Sequence, residues 1–200
     1  MKHWIVLTPD TLRIDGVERP LTGERTARLA ELYRSAIGDY PKFFKMDDLC
    51  KAGFVAAELL LKAEYPGDVT DRPAYNTDHR AVLLFNCSSS LSADTKYQAT
   101  IQQADNYFPS PSIFVYTLPN IVTGEIAIRN KYYGETNFII LQHPDGEAIA
   151  RQVENLFLDE TTSSALTGWV DCPDELHYEV RLAIIERGEN ITEAINQLLK

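Results

Sequence analysis

The stretch that most constrains this chain is residues 119–146, PNIVTGEIAIRNKYYGETNFIILQHPDG. It reads as a helix, a stop, a buried strand and a turn into another helix. Ile121, Val122, Glu125, Ile126, Ile128 and Arg129 carry a mixed helical periodicity, and Gly134 is placed to end that element just beyond its cap. Phe138, Ile139, Ile140 and Leu141 then form an unbroken apolar run, the pattern of a strand covered on both faces. Gln142, His143, Pro144, Asp145 and Gly146 make a turn, and Glu147 opens the next helix. Open α/β sheets hold ligands in the crevice beyond the carboxyl ends of such strands, so this turn is where a site is expected.

The rest of the chain alternates in the same way. Residues 4–7 are a short apolar first strand, and 11–16 add a hairpin arm with Asp15-Gly16 as its turn. Ala27, Leu29, Leu32 and Ile37 space a helix over 25–37, followed by Gly38 and a loop at 41–45. Residues 45–64 form the strongest helix, with Asp47 and Asp48 in its first turn, where the helix dipole favours acids. Pro66-Gly67, Pro73 and Asn76 mark 65–80 as a surface loop. A second buried strand at 81–86 runs into Cys87-Ser88-Ser89-Ser90. Helices are predicted at 92–106 and 147–158, around a proline-punctuated segment at 108–118. Residues 165–171 form a further strand, and 178–185 alternate as a strand with one wet face, ended by Gly188. A terminal helix at 191–199 is capped by Asn190 or Thr192.

Composition narrows the partners. Two hundred residues are enough for one domain with a sizeable core. A formal charge of -10 argues against nucleic acid or an anionic membrane as partner, while leaving room for a local basic patch. Cys50, Cys87 and Cys172 are scattered and odd in number, which suits free thiols in a reducing cytoplasm. The first ten residues lack the apolar run of a signal peptide, and no stretch is long enough to span a bilayer. His3, His79 and His177 share no helical or hairpin spacing, so no metal site is expected. The acidic pairs Asp47-Asp48 and Asp159-Glu160 read as solvated helix ends, and Tyr132-Tyr133 as packing at a helix end.

Residues 119–146 resemble the N-terminal half of a β-ketoacyl synthase, a thiolase-fold condensing enzyme. In that family an Asn starts a helix with a small-Gly-x-Ile-Ala pattern, and here Asn120, Gly124, Ile126 and Ala127 match it. A Gly-Pro then precedes the strand that delivers the nucleophilic Cys to the next helix. Gly134 matches the Gly, and Glu135 stands in place of the Pro. The segment KMDDLCKAGFVAAELLL at 45–61 resembles the family's Arg/Lys-Met-Asp helix. FPSPSIFVYTL at 108–118 resembles its Ser-Pro-x-x-Phe approach, and ALTGWVD at 165–171 resembles its fourth strand. The resemblance covers nearly the whole chain, 1–200. It implies one thiolase-like half-domain with a five-stranded mixed sheet, residues 138–141 central, and helices on both faces.

The family's spacing brings its nucleophile position to His143, where there is no Cys. Cys87 lies in a Cys-Ser-Ser-Ser run, as family nucleophiles often do, but after the second strand and ahead of the Asn120 helix; it reads as a small, partly buried turn thiol. A condensing enzyme needs a nucleophile with thiolate character and paired donors for the enolate. The second half, which carries those donors in the family, is not in this chain. The resemblance therefore implies a non-catalytic synthase-like subunit of fatty-acid or polyketide biosynthesis, with the aryl-polyene clusters the nearest comparison. It would need no cofactor and would pair with a full-length ketosynthase, with an acyl carrier protein or with itself. The expected dimer contact runs through Asn120, Phe138, Ile139, Ile140 and Leu141. The alternatives are an acyl-transfer or hydrolytic enzyme using Cys87 or His143, and a plain carrier-binding module.

Overall fold

The computed structural model describes residues 1–67, 78–105 and 107–200. Its strands are β1 (His3–Leu7), β2 (Leu12–Ile14), β3 (Val17–Glu18), β4 (Arg80–Asn86), β5 (Thr136–Ile140), β6 (Ser164–Asp174) and β7 (His177–Glu186). Its helices are α1 (Arg28–Ala36), α2 (Asp48–Glu64), α3 (Leu91–Ala99), α4 (Pro111–Phe114), α5 (Ile121–Asn130), α6 (Gly146–Leu156) and α7 (Ile191–Leu198). The strands make one seven-stranded sheet in the order β3-β2-β1-β7-β6-β4-β5. β4 runs parallel to β5 and to β6, while β7 is antiparallel to both β6 and β1. The carboxyl ends of β1, β4, β5 and β6 consequently share one end of the sheet.

Each face carries its own core. Alternate residues of β4 go to opposite sides: Val82 and Leu84 join α1, α2 and α5, and Ala81, Leu83 and Phe85 join α6 and α7. This two-sided burial is why the strand reads as a continuous apolar run. β7, expected to have one wet face, is buried on both sides from Leu182 to Ile185. α2 is enclosed for most of its length, and the Asp47 carboxylate caps it by accepting from the Cys50 N–H at 2.9 Å. Gly53 is what lets α2 come so close: a Cβ there would lie 2.6 Å from Val122 Cγ2 and 3.1 Å from Val170 Cγ1. On the other face α7 contributes Ala194, Ile195 and Leu198, capped by Asn190 as its sequence implies.

Several expectations are corrected. The sheet has seven strands, because the hairpin arm β2–β3 extends it beyond β1. The Phe138–Leu141 strand is an edge, not the centre: among the described residues β5 pairs with β4 alone. Phe138 packs on the first core and Ile139 and Leu141 on the second, but Ile140 remains 50% exposed. An apolar run reports coverage of the two faces and says nothing about a neighbour in the sheet plane. Gly134 does not end α5; Lys131 does, in the left-handed conformation with φ 54°. Gly134 is needed instead where the chain passes β4, since a Cβ would stand 2.5 Å from the Arg80 carbonyl oxygen. Residues 41–45 form a 3-10 turn, and the helix expected over 92–106 spans only Leu91–Ala99. Most of the 65–80 loop lies outside the described residues.

Buried charge ties the layers together. Arg80, almost wholly buried in β4, donates to both oxygens of Glu64 at 2.6 and 2.7 Å and to Ser164 Oγ at 2.9 Å. Burial by itself would lower its pKa; the contacts with Glu64 and Tyr132 outweigh that and raise it.

Candidate functional site

The turn after β5 can be examined first as a catalytic position. His143 is exposed, and its Nδ1 sits 3.5 Å from the Pro144 carbonyl, too long for a firm bond. The amides that open α6 are not free to receive a reacting anion. Asp145 Oδ1 accepts from the N–H groups of Glu147 and Ala148, both at 3.0 Å, so the helix end is closed by its own carboxylate. An exposed imidazole beside an acid-capped helix lacks the electropositive pocket that activates a nucleophile.

Cys87 lies at the same end of the sheet, past β4, and is exposed rather than partly buried. Its N–H and that of Ser88 donate to Asp171 Oδ1 at 3.0 and 2.9 Å, which locks the turn onto the end of β6. Local desolvation, together with the Asp171 carboxylate, pushes the thiol's pKa up, the wrong direction for a nucleophile. No hydrogen bond joins Cys87 to His143. Cys50 and Cys172 are buried, and burial raises both thiols too.

The residues expected at a dimer contact give a different picture. The outer edge of β5 has no partner strand among the described residues, although Thr136–Ile140 presents a hydrogen-bonding row there. Asn120 is exposed at the start of α5, its side chain making no capping bond. Exposed apolar groups belong to the same part of the chain: Ile128 is 65% and Tyr133 74% exposed, and Phe108, Phe114 and Leu118 are also open. Tyr132, by contrast, packs inside, splitting the tyrosine pair. A Cβ at Gly124, in the middle of α5, would meet nothing within 4 Å, so the chain's own packing does not call for glycine there. Exposed apolar side chains and an unpaired strand edge are features that a docking surface would use.

α5 is held in place by a partly buried ionic network that sequence reading missed. Glu125 pairs with Lys42 at 2.6 Å and accepts from Tyr40 Oη at 3.1 Å. Asn130 Nδ2 donates to Glu58 Oε1 at 2.8 Å, and Arg129 Nη2 donates to Asp39 at 2.5 Å. Burial, and then Glu125, push the Tyr40 hydroxyl up to about 12. One signal was available: Glu125 sits between Val122 and Ile126 on the buried side of α5, where an acid needs partners.

A second feature is a cavity of about 520 Å³ between the start of α2, α3 and α4, with Met46, Ala93, Ile113 and Tyr116 in its wall and Lys45 and Lys51 around it. Asp48, expected to be solvated, is buried here; it accepts from Ser92 Oγ at 2.8 Å and Lys96 Nζ at 2.5 Å. Asp159 and Glu160 are exposed, as expected. Among the described residues no helix is long and apolar enough to cross a membrane.

No protein-family model and no curated protein matches the sequence. Similar solved structures do exist. The ishigamide ketosynthase/chain length factor shares 16% identity over 95% of this chain, with a TM-score of 0.66. A ketosynthase in complex with its chain length factor from Xenorhabdus doucetiae shares 11% over 95%, with a TM-score of 0.56. A type II polyketide synthase acyl-carrier protein in complex with its ketosynthase bound to the hexaketide gives 13% over 98% and a TM-score of 0.58. The chain spans 62%, 81% and 63% of the respective matched chains. The order β1-β7-β6-β4-β5, the closed turn at His143 and the open β5 edge thus belong to a chain that shares the fold of these ketosynthase and chain-length-factor structures.

Proposed function

We propose that this chain is a non-catalytic ketosynthase-like subunit of fatty-acid or polyketide biosynthesis, of the aryl-polyene kind, that pairs through its β5 edge with an active ketosynthase. The observation that carries this reading is the state of residues 136–145. The strand edge is open and apolar, and the turn beyond it holds an exposed His143 and an acid-capped helix where a condensing enzyme needs an activated thiol. A subunit built this way keeps the docking element and lacks the chemistry. The Xenorhabdus structure, a ketosynthase with its chain length factor, offers a parallel for the pairing. An acyl carrier protein is the second proposed partner. Carrier proteins are acidic, and around the cavity at the start of α2 Lys45, Lys51 and Lys96 outnumber Asp47 and Asp48 on a chain that is acidic overall.

The test has two arms. Intact-mass spectrometry after incubation with acyl-carrier thioesters should show no adduct, and malonyl-carrier protein should not be decarboxylated. Co-expression with a ketosynthase should yield a stable complex. A stable acyl adduct on Cys87 or His143 would sink the non-catalytic reading. A chain that forms only a symmetric self-dimer would sink the accessory role.

A further inference from the structure

Residues 107–124 contain no charged side chain, in a chain where 24% of residues are charged. Such a stretch is expected inside a core, yet much of this one is surface. Phe108 is 76% exposed, and Phe114, Val115 and Leu118 are each about half exposed. Leu91, at the start of α3, is half exposed as well. Folding does not draw these side chains inward: from the same turn it is Tyr116 that goes into the first core. Exposed positions mostly go to charged and polar residues. Aromatic surface depleted of charge is the composition of the buried centre of a protein–protein interface.

Backbone contacts place this segment. Ser90 Oγ, just past the carboxyl end of β4, donates to the Thr117 carbonyl at 2.8 Å, so the 114–118 turn lies across that end of the sheet. α5 then runs back along the sheet until Gly134 passes the Arg80 carbonyl at the start of β4. β5 is parallel to β4 and pairs Ile140 with Asn86, so half-exposed Ile140 and the 114–118 turn share the carboxyl end of neighbouring strands.

The β5 edge is too small to be a whole interface. It is five residues, about 17 Å, long, and one strand pairing of that length falls well short of the roughly 800 Å² per partner that a stable complex buries. A partner on the edge has to cover further apolar surface, and at the edge's carboxyl end that surface is the 114–118 turn with Leu91.

We infer that the uncharged 107–118 surface is the second contact of the ketosynthase pairing proposed above: the partner seated on the β5 edge also covers Leu91, Phe114, Val115 and Leu118 with apolar surface of its own. This rests on the proposed pairing and says where the rest of the contact lies.

Hydrogen–deuterium exchange of the full-length chain, alone and in complex with the co-expressed ketosynthase, tests it. Exchange should slow in the complex at both 136–140 and 107–118. L118E should leave the thermal midpoint nearly unchanged and weaken the complex at least about tenfold in sedimentation velocity, while L118M should bind as the native chain does. Slower exchange at 136–140 with no change at 107–118 would overturn this inference and leave the pairing standing. Absence of any complex would overturn both. Protection of 107–118 by concentration-dependent self-association of the chain alone would give the surface to a second copy and overturn the assignment. Exchange in the native chain decides the matter even if L118E fails to fold.

Discussion

Asn130 of α5 reaches across to Glu58 of α2, donating from Nδ2 to Oε1 at 2.8 Å inside the protein. The bond spans 72 positions of sequence and joins the two helices. Replacing Asn130 by Ala removes a donor from a buried carboxylate that keeps Arg129 nearby at 3.6 Å. The expected loss is about 1–3 kcal/mol, read from the midpoint of a urea transition. An unchanged midpoint would mean that the network contributes no net stability.

Gly53 gives a packing prediction. In G53A the new methyl meets Val122 and Val170 at sub-contact distance. Overpacking of this kind costs about 1–3 kcal/mol. Adding V122A should recover part of the loss, because it removes the nearer obstacle. Thermal denaturation of the single and double variants checks this, and a fully additive pair would contradict the contact.

Arg80 and Glu64 form a buried bidentate pair. E64A strands the guanidinium without its carboxylate and should cost about 3–5 kcal/mol. The double variant with Met at Arg80 and Leu at Glu64 should lose far less, since no buried charge is left alone. Chemical denaturation separates the two outcomes.

Alkaline stability follows from Tyr40, Tyr116 and Tyr178, each pushed from 10.0 up to about 12, first by burial. In the unfolded chain these hydroxyls ionise near their ordinary value, while the folded chain still holds their protons. Between about pH 10 and 12 the unfolded state binds fewer protons, so stability falls as pH rises. Y40F should flatten that fall, and denaturation midpoints across the interval test it.

The β5 edge separates association from folding. Ile140 is half exposed, so I140K should leave the thermal midpoint nearly unchanged while weakening ketosynthase binding at least about tenfold. Ile139 packs on the second core, and I139K should destabilise the monomer itself. Sedimentation velocity with and without a ketosynthase gives the answer; binding unaltered in a folded I140K chain would remove the edge from the interface.

Much of the architecture could be read from residue order. The apolar runs at β1, β4 and β6, the Asp15-Gly16 hairpin and the cap at Asn190 are local signals, and local signals survive folding. Tertiary structure decided what depends on lateral neighbours and on distant partners. Periodicity reports which side of an element is covered, so Phe138, Ile139, Ile140 and Leu141 were legible as apolar but their place at the sheet edge was not. The same holds for charge. Asp48, Glu58 and Glu125 look like ordinary helix acids in the sequence, and they are buried because Lys96, Asn130 and Lys42, between 48 and 83 positions away, converge on them once the sheet has formed.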